Sequence, residues 1–153
     1  MHSVYIETTI PSFYHTLRRS PQAIAWHEQT KRWWDMHRHR YTLFTSAAVI
    51  QELADAPPER SAPRLAMLDG VPQLVIGPEV GRVVAEYLSH RLMPRDGGLD
   101  AVHAAVASFY GLDFLLTWNC LHLANANKAR HLAAINTRLG LHVPMIITPY
   151  NLE

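Results

Sequence analysis

Residues Leu99 to Trp118, "LDAVHAAVASFYGLDFLLTW", carry two periodicities in succession. Leu99, Val102, His103 and Val106 recur at i, i+3, i+4 and i+7, the spacing of one helix face. Gly111 supplies the stop, because a helix commonly ends where glycine takes up the left-handed conformation. Asp113 to Trp118 then form the most continuous apolar run of the chain, short enough for a strand and apolar on both sides. A strand buried on both faces belongs to a parallel sheet, and parallel neighbours need helical crossovers.

The same alternation extends in both directions. Upstream, Val4 to Ile6 read as a buried strand. Ser20 and Pro21 give a cap and first turn, and Ala23, Trp26, Thr30 and Trp33 follow at helical spacing. Tyr41 to Thr45 form a second β-rich run. Ser46 is placed to cap "AAVIQELADA", whose stripe is Ile50, Leu53 and Ala54, and Pro57 and Pro58 read as its end. A short helix is expected over Pro63 to Leu68, a third strand over Pro72 to Ile76, and a helix over 79–92, broken by "MPRDGG". Downstream, a helix is expected from about Asn125 to Leu139, ended by Gly140, and a last strand over Met145 to Thr148. Apolar strands alternating with amphipathic helices predict an α/β fold: one domain over 1–153, with a parallel sheet covered by helices on both faces.

Bulk properties narrow the function classes. The chain has 153 residues, 48% hydrophobic and 18% charged, which excludes a disordered tail and suits one well-packed core. No apolar run reaches the ~18 residues of a membrane helix, and "MHSVYIE" lacks the layout of a signal peptide. Cys120 is the single cysteine, so no intrachain disulfide forms, in keeping with a cytoplasmic protein. The formal charge of +1 does not by itself announce nucleic acid, so any phosphate contacts depend on local clusters.

Chemistry concentrates where the strands end. Ligands of open parallel sheets bind beyond the carboxyl ends of the strands. Glu7 stands at that end of the first strand, Ser46 and Glu52 follow the second, and Thr117 and Asn119 end the 113–118 run. Asp100 opens the helix leading into that run. Three carboxylates on one rim repel one another unless a cation lies between them. Oxygen ligands of this kind suit Mg2+ or Mn2+, which can orient a water for attack on a phosphodiester.

"YIETTIPSFY", "SAAVIQELA" and "LDAVHAAVASFYGLDFLLTWNCLHLAN", in this order and placed this way against the strands, resemble the PIN domain, in its branch of VapC-like bacterial toxins and relatives. The likeness runs from Val4 to "IITPYNL". It implies an acidic pocket binding Mg2+ or Mn2+, metal-dependent hydrolysis of RNA, restraint by a cognate antitoxin and a tendency to homodimerise. The family's four acidic positions fall on Glu7, Glu52, Asp100 and Asn119, and its small hydroxyl residues on Thr9 and Ser46. Two positions depart from the pattern. Glu7 replaces the commoner Asp with a longer arm, and Asn119 keeps a carbonyl oxygen but gives up a charge.

Other residues have plainer readings. His103 reads as a core histidine on the apolar stripe, Asp96 as a solvated loop acid, Asp113 as a turn residue, and "WW" with "MHRHRY" as the end of a helix with buried indoles. Nothing near Cys120 marks it as a nucleophile. Arg18, Arg19, Lys128 and Arg130 adjoin the proposed pocket and are candidate phosphate contacts. Two further functions compete with the ribonuclease. One is a catalytically silent module that binds nucleic acid or a protein through the same surface. The other is a phosphohydrolase with a nucleophilic Asp, disfavoured because Glu7 is followed by Thr8 and Thr9 and no D-x-D follows the first strand.

Overall fold

The computed structural model describes every residue from Met1 to Glu153. Five strands, β1 (Ser3–Ile6), β2 (Thr42–Ser46), β3 (Gln73–Leu74), β4 (Phe114–Leu116) and β5 (Met145–Ile147), form one sheet in the order β3-β2-β1-β4-β5. Every pairing is parallel, as the apolar runs predict. Seven α-helices join the strands: α1 (Thr9–Tyr14), α2 (Pro21–Met36), α3 (Ala47–Ala54), α4 (Pro58–Met67), α5 (Pro78–Ser89), α6 (Gly98–Phe109) and α7 (Ala126–Leu139).

The chain winds outward from β1 to β3, then returns across the sheet to β4 and β5. Right-handed crossovers, the rule for parallel strands, therefore put α1–α4 on one face and α5–α7 on the other. Helix contacts within each layer agree: α1 meets α2 and α4, α3 meets α4, and α5 meets α6 and α7, while α3 also meets α6 where Glu52 reaches His103. The winding reverses between β1 and β4, so the crevice beyond their carboxyl ends is the topological switch point. Val4, Tyr5, Ile6, Leu115 and Leu116 are fully buried between the two helical layers. Burying a side chain of this size stabilises the fold by roughly 1.5–3 kcal/mol.

Several elements differ from their sequence reading. The stretch after Glu7, to which the sequence pattern assigns no element, is a helix, α1; six residues are too few for a periodicity to show. Pro57 and Pro58 do not merely end α3. Pro58 is the first residue of α4, a position where its fixed φ is already helical. That helix begins five residues earlier than Pro63, which lies inside it at the surface. β3 is only two residues long, because Val75 and Ile76 turn outward to solvent. Leu99 is exposed, and α6 buries Ala101, His103, Ala104 and Ala105 through Ser108 instead. This side is rich in alanine, which lets α6 approach α5 closely. Gly140, at φ 69°, caps α7 as predicted.

Candidate functional site

β1 delivers Glu7 to the switch point, where its side chain is only 3% exposed. One carboxylate oxygen, Oε2, receives three donors: the Thr9 amide at 2.8 Å, the Thr9 hydroxyl at 2.6 Å and the Thr117 hydroxyl at 2.9 Å. Each hydroxyl, having donated to Glu7, accepts an amide from the end of β4: Trp118 N–H to Thr9 at 2.8 Å, Asn119 N–H to Thr117 at 2.9 Å. The threonines thus fasten the ends of two adjacent strands around one acid. This is the physical reason a buried strand terminates in a carboxylate followed by hydroxyls. Burial pushes the Glu7 carboxyl above the usual glutamate range, against the pull of His103 and the threonine hydrogen bonds.

Glu52 projects from α3 into a second network. Its Oε1 accepts the Thr8 hydroxyl at 2.9 Å and lies 2.6 Å from His103 Nε2. On the far side of the ring, Nδ1 meets the Tyr5 hydroxyl at 2.7 Å, which in turn meets the Ser46 hydroxyl at 2.7 Å. Two donation schemes satisfy every group: with Nε2–H given to the carboxylate, Nδ1 either accepts the Tyr5 proton or donates to the phenol oxygen, and Ser46 accordingly donates to Tyr5 or accepts from it. Burial raises the Tyr5 phenol far above its ordinary value, so it stays protonated. Burial also works to raise Glu52. The His103 hydrogen bond and charge, with help from Thr8, outweigh it and hold Glu52 below the usual range.

Asp100, in the first turn of α6, accepts at Oδ1 the side-chain amide of Asn119 at 3.1 Å. Asn119 Oδ1 accepts the backbone N–H of His122 at 3.0 Å. The two contacts fix the orientation of the amide: its donor faces Asp100 and its oxygen caps the turn after β4. Asn119 therefore orients Asp100, and its oxygen is engaged by the turn after β4. Burial pushes the Asp100 carboxyl up, His103 and His122 pull it down, and Glu52 adds to the rise.

The structure thus gathers Glu7, Thr9, Thr117 and Asn119 around the end of β4, with Asp100 attached through Asn119. Glu52 joins through Thr8, the neighbour of Thr9. Ser46 does not cap α3 with its side chain, since its hydroxyl is taken up by Tyr5. Three site residues were missed in the sequence. Thr8 looked like part of a loop, Tyr5 like an ordinary strand residue and His103 like core. His103 is indeed buried, at 1% exposure, but its two ring nitrogens join the Glu52 carboxylate to Tyr5. Its place one helical turn after Asp100 was the available signal.

The basic residues separate. Lys128 donates its ammonium to the Leu92 carbonyl, and Arg130 and Arg19 lie in solvent. Arg18 borders a cleft with two arginines of α4. Asp96 is exposed as expected. Asp113 is more than a turn residue: its Oδ2 accepts the Ser3 amide at 2.8 Å and the Ser3 hydroxyl at 3.1 Å.

As they stand, no three acidic, imidazole or thiol groups are drawn close enough to hold an ion. The donor set nevertheless fits a hard divalent cation in kind. Glu7 Oε1, Glu52 Oε2 and Asp100 Oδ2 take part in no protein hydrogen bond, while the other oxygen of each acid is held. Comparison of the chain with family models, curated proteins and solved structures finds no match. No helix is long and apolar enough to cross a membrane.

Proposed function

We propose that this chain is a PIN-like ribonuclease that depends on Mg2+ or Mn2+. The observation that carries the reading is the division of labour within each carboxylate: one oxygen of Glu7, Glu52 and Asp100 is pinned by protein donors, and the other is spare. An acid pinned in this way keeps its direction when its charge is used, which is what a positioned ligand requires. The spare oxygens of the three acids would hold the cation. Bound there, a divalent ion supplies an oriented, more acidic water and offsets charge on the scissile phosphate. Thr9 and Thr117 position Glu7, Asn119 positions Asp100, and Thr8 and His103 position Glu52, with Tyr5 and Ser46 behind the histidine. The substrate is an RNA strand and the bond cut is its phosphodiester. Restraint by an antitoxin and pairing with a second copy belong to the same reading, through the resemblance alone.

A silent binding module is the second reading, favoured by the short Glu52–His103 contact and by the engaged oxygen of Asn119. One titration separates the two. Under the first reading, Mn2+ gives binding heat and raises the melting temperature by mass action, and RNA is cleaved only when the ion is present. Asp100→Asn and Glu52→Gln each remove that cleavage while the protein stays folded. Cleavage of unchanged rate in both variants, or wild-type protein without binding heat or cleavage, overturns the ribonuclease reading.

A further inference from the structure

A second polar surface lies on the helical layer that carries Glu7 and Glu52 onward. The α1–α2 loop and α4 enclose a cleft of about 720 Å³ bordered by His15, Arg18, Arg60 and Arg64, with Glu59 as its one acid. Three guanidinium groups border one space, yet none forms an ion pair within 4.0 Å or donates a side-chain hydrogen bond to the protein. Nε of Arg64 and Nε2 of His15 are shielded from solvent with no hydrogen-bond partner. A buried donor left in this state, as Arg64 Nε is, costs about 1–3 kcal/mol, so an arrangement of this kind invites an acceptor from outside the chain.

The electrostatics agree with the geometry. Arg64 is held below the ordinary arginine value by burial and then by Arg60 and Arg18; His15 is lowered by burial and then by Arg64. The cationic groups feel one another, and an anion among them would relieve that repulsion. Guanidinium forks match the tetrahedral oxygens of phosphate in two-point contacts, which a lysine cluster would not supply.

We propose that this cleft is a phosphate-binding site, and that the phosphate it takes belongs to an RNA strand passing from the acidic crevice. The site stands on the arginines alone; its assignment to RNA rests on the ribonuclease reading. Covalent placement supports the link. α1 begins two residues after Glu7 and spans about 9 Å before His15. α4 follows α3, which carries Glu52, and Thr8 at the start of α1 is bonded to Glu52. The acidic crevice and the basic cleft are thus opposite ends of the same short helix.

The test measures two probes on the whole protein without metal ion: inorganic phosphate by calorimetry, and a mixed-sequence oligoribonucleotide by fluorescence anisotropy across a salt series. Arg60 is exposed and holds nothing in place, so Arg60→Gln retains the fold; Arg60→Gln with Arg64→Gln removes two of the three forks. Each loss is expected to weaken phosphate about ten-fold and to reduce the salt slope of oligonucleotide binding by about one. Glu59→Gln is expected to tighten both probes. If the variants weaken inorganic phosphate but leave the oligonucleotide untouched, the RNA assignment is overturned and the cleft serves a small phosphate compound. Unchanged binding of both probes overturns the site. The ribonuclease reading fails separately, through absent Mn2+ heat and cleavage in the wild type.

Discussion

Glu7 shows how one buried acid is made usable. Burial favours its protonated form, while two threonine hydroxyls and one amide favour the carboxylate, and burial prevails. Its folded pKa therefore lies above the value in the unfolded chain. The native state holds the extra proton between those two values, so without metal the Glu7 contribution to stability declines as pH rises from the ordinary glutamate range through the folded pKa. Glu7→Gln removes that titration. Melting temperatures of metal-free wild type and Glu7→Gln, measured from pH 4 to 8, should diverge in favour of the variant as pH rises. A displacement of one pKa unit corresponds to ~1.4 kcal/mol, or about 4 °C for a chain of this size. Parallel curves would mean that burial does not govern this carboxyl. Mn2+ should compress the wild-type slope, because a cation stabilises the ionised form.

At the scale of elements, the pairing of β1 with β4 decides whether the crevice exists. Its far end is closed by a reciprocal latch: Asp113 accepts the Ser3 amide and hydroxyl, and Ser3 Oγ accepts the Asp113 amide at 2.9 Å. The Ser3 amide, joined by the Ser3 hydroxyl and His2, holds the Asp113 carboxyl below its ordinary range against the opposing effect of burial. The latch therefore contributes stability above the ordinary aspartate range, and the contribution is lost as pH falls through the lowered value. Asp113→Ala should cost about 1 kcal/mol near pH 7, the ordinary size of a lost capping interaction at an exposed site. Denaturant melts at pH 7 and pH 3 check this, and a cost that does not shrink on acidification would refute it.

Across the whole molecule, three helices of one layer are joined by a buried amide. Asn136 of α7 accepts the Tyr87 hydroxyl of α5 at 2.6 Å and donates to Ser108 of α6 at 2.9 Å and to the His142 carbonyl at 2.8 Å. All three of its hydrogen bonds are internal and the residue is fully buried. Asn136→Ala removes all three bonds, though the Tyr87 and Ser108 hydroxyls keep each other at 3.0 Å and Ser108 keeps the Ala104 carbonyl at 2.7 Å, so a loss of about 2 kcal/mol is expected. Urea unfolding should show an earlier midpoint with an unchanged slope, the sign of lower stability without a change in native compactness. A loss below ~1 kcal/mol would place water or a neighbouring side chain in the amide's role.

The local pattern of residues determined the alternation of strands and helices, the parallel sheet and the position of Glu7, Glu52 and Asp100 near strand ends. Those features follow from periodicity and from the chemistry of glycine and proline, which act over a few residues. Where the pattern was too short or a residue had two uses, it misled: α1 is six residues long, and Pro58 starts a helix as readily as it ends one. Partner choice was decided by the tertiary structure. Ser46 bonds Tyr5 across 41 positions, Thr117 bonds Glu7 across 110, and His103 reaches Glu52 across 51. A hydroxyl or imidazole has several acceptors open to it in an unfolded chain, and only packing selects one. The same holds for the basic cleft, whose Arg18 and Arg60 lie far apart in sequence and meet because α1 packs on α4.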